Sequence, residues 1–518
     1  MSRRRRLFVE PCVRPPAESR LVAAARVPLA AFAALAVLPA AAALAELAAA
    51  SLLAVLAAGC RAPAAGSTET LRFWAMGREG EVVQELVRDF ERQTAGVRVE
   101  VQQIPWSAAH EKLLTAHVGR STPDLAQLGN TWIAEFAALN ALEPLGPWLA
   151  NASAVDSSAY FPGIWDTNRI DGVLYGVPWY VDTRVLFYRQ DILARAGYTS
   201  VPTTWSAWRE AMLATKRLVG PERFAIFLPV NEWAPPAIFG LQAGSPLLVE
   251  DCTRGDFSAP AFRGAFSFYL GLFRDGLAPP VSNNEIANLY QEFARGYFAM
   301  YITGPWNLGE FRRRLPPELQ GAWGTSPLPG PDETSPGVSL AGGASLVLFR
   351  DSRHKSHAWR LIEFLSRPEQ QVRFYHLTGD LPARREAWQD SALAGDPQAR
   401  AFWEQLGHVV ATPKIPEWEL IATRLQQRSE LAIRGSVPAD SALARLDRDV
   451  DRILEKRRWL LARQRHATAH QRDASARRRH GSTHRRRKAV RQGGKPMREC
   501  REPMLQGRRS ACSQGEPA

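Results

Sequence analysis

Residues Leu71–Asn130, LRFWAMGREGEVVQELVRDFERQTAGVRVEVQQIPWSAAHEKLLTAHVGRSTPDLAQLGN, decide the fold class. Leu71–Trp74 reads as a short strand and Ala75–Gly80 as a loop. From Glu81 to Gln93 the apolar residues Val82, Val83, Leu86, Val87 and Phe90 recur at helical spacing, and Gly96 stops the run. Val97, Val99 and Val101 alternate with charged residues as a second strand. Trp106–Val118 is a second helix, closed by Gly119, and Pro123–Gly129 is a third strand. Strand, helix, strand, helix, strand implies parallel pairing through right-handed crossovers, hence an α/β fold. Ligands of such sheets gather beyond the carboxyl ends of the strands, where this reading places Arg78, Glu79, Asn130, Thr131 and Trp132.

Working outward, Tyr175–Gly197 (YGVPWYVDTRVLFYRQDILARAG) sets Asp182 beside Trp179 and Tyr180, ahead of the β-favouring run Val185–Tyr188. A carboxylate there can accept hydrogen bonds from hydroxyls while the rings cover apolar C–H faces; the same acid also reads as a solvated loop residue or a helix cap. Thr204 or Ser206 caps the next helix. Phe224–Leu228 is a strand, followed by the loop Asn231-Glu232-Trp233. Phe262, Phe266, Tyr269, Leu270 and Phe273 have helical spacing and belong to the core. Tyr297–Ile302 is a strand that ends at Thr303-Gly304-Pro305-Trp306-Asn307. Gly342 and Gly343 precede a further strand, either as a plain turn or as a place where a ligand approaches backbone amides. His357–His376 and Asp396–Leu406 read as helical, Lys414–Trp418 as an aromatic loop, and Ser441–Trp459 as a closing amphipathic helix.

FWAMGREGE, TPDLAQLGNTWIAEFAALNALEPL, YGVPWYVDTRVLFYRQDIL and FARGYFAMYITGPWNL, in that order, resemble the extracellular solute-binding proteins of carbohydrate ABC transporters, the maltose-binding-protein-like family 1. The resemblance covers about Leu71–Glu455. It implies a two-lobed periplasmic-binding-protein fold of the class II type, with a ligand cleft between hinged lobes. Lobe 1 is expected from residues 71–180 and 339–400, and lobe 2 from 181–338 and 401–459. The function implied is that of a monomeric importer subunit, without cofactor or metal, that captures a sugar or oligosaccharide and delivers it to permease subunits. Trp306 then becomes a stacking platform, with Trp132, Trp179 and Trp233 as further rings. Arg78, Glu79, Asn130, Thr131, Asp182, Asn231, Gly304, Asn307, Gly342 and Gly343 complete the expected site, and Trp418 closes one end.

Charge and cysteine usage describe the ends of the chain. Of the formal +13, residues 456–518 carry +15 and residues 1–59 carry +4, which leaves the body, 60–455, at −6. Arg3–Arg6 followed by the Ala/Leu/Val-rich stretch to Gly59 is an export or membrane segment. Ser51–Cys60 resembles a lipoprotein signal, with cleavage before Cys60 and lipid on its thiol; an uncleaved membrane helix is the alternative. Both put the body outside the cytoplasmic membrane, on a tether at 61–70. Residues 460–518 are basic and lack apolar periodicity, so they are expected to be disordered. Such a tail can bind phosphates, although an exported chain seldom meets nucleic acid and none is expected as a partner. The five cysteines show no zinc spacing.

No GxSxG, HExxH or phosphate-loop motif occurs where chemistry would need one. The enzyme alternative is a glycoside hydrolase that pairs Asp182 with Glu79 or Glu232. The same acids are sufficiently explained as hydroxyl acceptors, so a non-enzymatic receptor is the reading adopted.

Overall fold

The computed structural model describes residues 68–465 except Ser153. The stretch read as an export segment, with Cys60, and the chain beyond residue 465 lie outside the described residues. The first strand, β1 (Glu69–Met76), leads into α1 (Gly77–Gln93), and β2 (Val97–Ile104) into α2 (Trp106–Val118), before β3 (Leu125–Gly129). β1 pairs in parallel with both β2 and β3. The expected apolar stripe of α1, Val82, Val83, Leu86, Val87 and Phe90, is buried against this sheet. The helix begins four residues earlier than its apolar period, because Gly77 takes a left-handed φ of 52° and turns the chain directly out of β1.

β4 (Gly176–Asp182) joins the same sheet, and only Asp182, its last residue, escapes full burial. The chain then crosses at Thr183-Arg184 into a second sheet through β5 (Val185–Arg189). This second region adds α3 (Trp205–Val219), β6 (Phe224–Phe227), α4 (Ala234–Gln242), α5 (Pro260–Arg274), β7 (Phe298–Thr303), α6 (Trp306–Arg314) and β8 (Trp323–Ser326). Its strand order is β8-β5-β7-β6. The rings expected in its core, Phe262, Phe266, Tyr269 and Phe273, are buried.

The chain returns to the first sheet through β9 (Gly342–Leu348), which lies antiparallel between β3 and β4. α7 (Lys355–Leu365) and α8 (Pro368–Thr378) follow, then the two-residue strand β10 (Leu381–Pro382). The continuous helix read over His357–His376 is in fact two, because Pro368 occupies a first-turn position, where its missing N–H costs nothing, and starts a new helix. The completed order is β10-β4-β9-β3-β1-β2. The chain crosses once more, so that α9 (Pro397–Leu406) packs on β8 and β5 of the second sheet, while α10 (Trp418–Ile433) and α11 (Ala439–Ile453) pack on each other and on α5, with α10 also against α4. The result is two α/β lobes, each a sheet clothed by helices. Among the described residues, no helix is long and apolar enough to cross a membrane.

Candidate ligand cleft

Strand ends from both lobes meet at a cavity of about 490 Å³, within the ~300–1,000 Å³ usual for small-molecule sites. From the first lobe come Glu79 at the start of α1, Trp106 at the start of α2, Asn130, Thr131 and Trp132 after β3, and Tyr180 and Asp182 on β4. Gly342 and Gly343 at the start of β9 and Asp380 just before β10 complete that wall. The second lobe supplies Arg184 before β5, Trp233 after β6 and Trp306 after β7. Four indoles thus surround three carboxylates.

Local chemistry fixes these groups. Met76 N–H donates to Gln127 Oε1 at 2.7 Å, Gln127 Nε2 donates to the Tyr180 hydroxyl at 2.9 Å, and that hydroxyl donates to Glu79 Oε1 at 2.9 Å. A buried relay of this kind leaves Glu79 little rotational freedom. Asn130 Nδ2 is held by the Ala341 carbonyl at 2.7 Å. Asp182 forms an ion pair with Arg184, whose guanidinium lies 4.5 Å from the Trp306 ring centroid. Trp106 and Trp132 meet edge-on, with centroids 5.7 Å apart. The glycine pair is sterically required: a Cβ on Gly342 would lie 2.1 Å from the Asp182 carbonyl oxygen, and one on Gly343 would lie 2.3 Å from that of Tyr180.

The carboxyls are not ordinary surface acids. Burial lifts Glu79 above its usual range. Burial also lifts Asp182, partly offset by Arg184 and reinforced by the charge of Glu232. Asp380 is raised well above the carboxylate range, first by burial and then by the charges of Glu79 and Asp182.

Six of the expected residues do not line the cavity. Trp179, only 1% exposed, stacks on Phe374 at 4.3 Å inside the first core. Trp418 is fully buried and packs edge-on against Trp233 at 5.5 Å, so it backs a wall rather than closing an end. Arg78 points outward to Glu81 and the Leu377 carbonyl. The Asn231 side chain accepts from the Asn283 N–H at 2.9 Å. Asn307 is buried between Thr303 and Tyr290. Gly304 sits beneath the Trp306 ring, 1.9 Å from where its own Cβ would be, so it shapes the platform without facing the cavity. Trp306 itself is the first residue of α6, directly after the strand end.

A family model described as bacterial extracellular solute-binding protein matches residues 75–372. The chain belongs to that family. This solute-binding protein is similar to the sugar-binding protein MalE from Xanthomonas citri, at 50% identity and a TM-score of 0.73, covering 76% of this chain and 99% of that one. The diacetylchitobiose binding protein DasA of Streptomyces coelicolor is 26% identical over 72% of this chain and 87% of its own length. An uncharacterised lipoprotein of Streptomyces antibioticus is 30% identical, covering 65% and 75%. Members of the family are extracellular substrate-binding proteins of the two-lobed periplasmic type, not enzymes.

Sequence reading of this solute-binding protein missed Trp106, Arg184, Asp380 and Thr412 as cavity residues. Trp106 carried a usable signal, since it starts the helix after β2 at a carboxyl strand end, as Glu79 does after β1. Arg184 stands two residues from Asp182 across the lobe crossing and was equally accessible. Asp380 was not, because it enters the cleft through the long-range pairing of a two-residue strand with β4.

Proposed function

We propose that this solute-binding protein captures a sugar or oligosaccharide outside the cytoplasmic membrane and hands it to the permease of an ABC importer, without altering it. The observation that carries this reading is the convergence of Trp106, Trp132, Trp233 and Trp306 with Glu79, Asp182 and Asp380 at one cavity fed by both lobes. Indole faces cover the C–H surfaces of a pyranose, and carboxylates and amides satisfy its hydroxyls. Because one wall comes from each lobe, bound ligand favours the closed form over the open one, which is what a hinge-type receptor requires. The lobes divide near the crossings at 183–184 and 327–341 and again ahead of α9, and the chain acts as a monomer held by lipid on Cys60. MalE, described as a sugar-binding protein, and DasA, described as a diacetylchitobiose binding protein, support this assignment.

The hydrolase alternative is weakened at its acids. Asp182 is neutralised by Arg184, and Glu232 accepts from Asn283 Nδ2 at 2.7 Å without lining the cavity. A thermal-shift screen of the full chain against monosaccharides, oligosaccharides and polyols, with a product assay on each hit, tests the proposal. Stabilisation without turnover is expected; release of a cleaved product would replace the receptor by an enzyme.

A further inference from the structure

At the opposite end of β1 from the cleft lies a second, open cavity of about 990 Å³. Arg72, Arg120, Arg350 and Arg353 line it, and none of the four has a carboxylate partner among the described residues. Arg72 donates to the Ser121 and Thr122 carbonyls, and Arg350 to Asn140 Oδ1 and the Leu142 carbonyl, so these contacts orient the guanidiniums without cancelling their charge. Two acids share the surface. Asp124 is buried and already accepts from the Arg72 N–H and Ser352 Oγ, at 2.8 and 2.7 Å, while Asp351 is exposed. The His354 ring faces Glu69 at 3.1 Å.

Two apolar side chains stand out of the same surface, Val118 at 84% exposure and Leu139 at 43%. Guanidiniums surrounding projecting apolar tips are the composition of a surface that settles at the headgroup and acyl boundary of a bilayer. Thr70, the second residue of β1, lines this cavity too. Only eight positions separate Cys60 from Thr68, a contour of at most roughly 28 Å.

We propose that this basic face docks on anionic phospholipid headgroups of the membrane beside which the receptor is held. The placement rests on the extracellular reading, whereas the lipid contact itself does not depend on sugar binding. Arg72 on this face and Met76 at the cleft end of β1 are four residues apart, roughly 13 Å of strand, so docking holds the cleft mouth towards the solution from which ligand arrives. Delivery to a permease then requires release from the lipid.

Hydrogen exchange on the full chain, read by mass spectrometry, tests this without interference from the basic tail, because protection is located by segment. Phosphatidylglycerol vesicles should slow exchange at residues 117–122 and 349–354 at least about fivefold, and pure phosphatidylcholine vesicles should not. About 1 M salt, which shortens the Debye length to ~3 Å, should abolish the effect, as should the Arg120→Glu/Arg353→Glu variant. Protection confined to residues beyond 459, or equal protection by inorganic phosphate, overturns the proposal. Sugar titration by tryptophan fluorescence on the same samples verifies that the variant is folded. It also separates the two readings: loss of sugar binding with these segments still protected would remove the receptor assignment and leave the docking face standing.

Discussion

Trp179, in the core of the first lobe, and Trp306, on the second lobe's side of the cleft, perform opposite tasks. Trp179 lies within β4, buried on both faces of the sheet and stacked on Phe374. Trp306 stands 38% exposed at the end of β7, with the Arg184 cation over its ring and Gly304 cleared beneath it. Both follow a Gly/Pro turn in the sequence, and both were expected to touch a sugar. What separates them is whether another element covers the ring: α8 lies over Trp179, whereas Trp306 lines the open cavity beneath the Arg184 guanidinium. Asp182 shows the same boundary on the scale of one strand, as the single residue of β4 that the sheet leaves open.

The contrast is broken most decisively at the buried ring. Trp179→Ala should cost about 3–5 kcal/mol of stability, the range for deleting a large core aromatic, while sugar affinity per folded molecule stays unchanged. Urea unfolding paired with ligand titration checks this, and a selective loss of affinity at full stability would return Trp179 to the cleft. Next comes Asp182→Ala, which should weaken sugar binding by about 1–3 kcal/mol through loss of charge-assisted bonds and leave stability nearly intact. Calorimetric titration decides it. Trp306→Ala should weaken binding by about 1–2 kcal/mol. Because Asp182 holds Arg184 over that ring, the double variant should lose less than the sum of the singles, and strict additivity would show that the three groups act independently.

These substitutions also mark how far sequence could be read. The β1-α1-β2-α2-β3 order was legible because its signals are local: the 3.6-residue stripe of Val82–Phe90, the alternation of Val97–Val101, and Gly96 and Gly119 as stops. Strand ends are local too, so Glu79, Asn130–Trp132, Asp182, Trp233, Trp306 and the Gly342–Gly343 pair were placed at the cavity they line. Burial by a distant element is not local. α8, which covers Trp179, lies nearly two hundred residues downstream of it, and Trp418 disappears behind Trp233 only once α10 has returned to the second lobe. Asp380 reaches the cleft by the same kind of non-local pairing.

Asp380 supplies the subtlest test of that boundary, since it lines the cavity yet is buried as thoroughly as a core residue. Burial and the neighbouring Glu79 and Asp182 charges hold its carboxyl well above the usual range, so the folded chain retains a proton that the unfolded chain releases at about pH 4. From there up to the folded-state value the native form binds more protons than the unfolded form, and stability must fall as pH rises. Glu79 and Asp182, raised for the same leading reason, add slopes of the same sign. Asp380→Asn removes one of the three contributions and the mutual repulsion with it. The variant should therefore melt higher than the parent at pH 8, with the gap closing towards pH 4, in thermal scans free of ligand. A gap that widened on acidification would mean that Asp380 is ionised and held by a donor in the folded state, and that the cleft floor behaves as solvent-facing surface rather than as core.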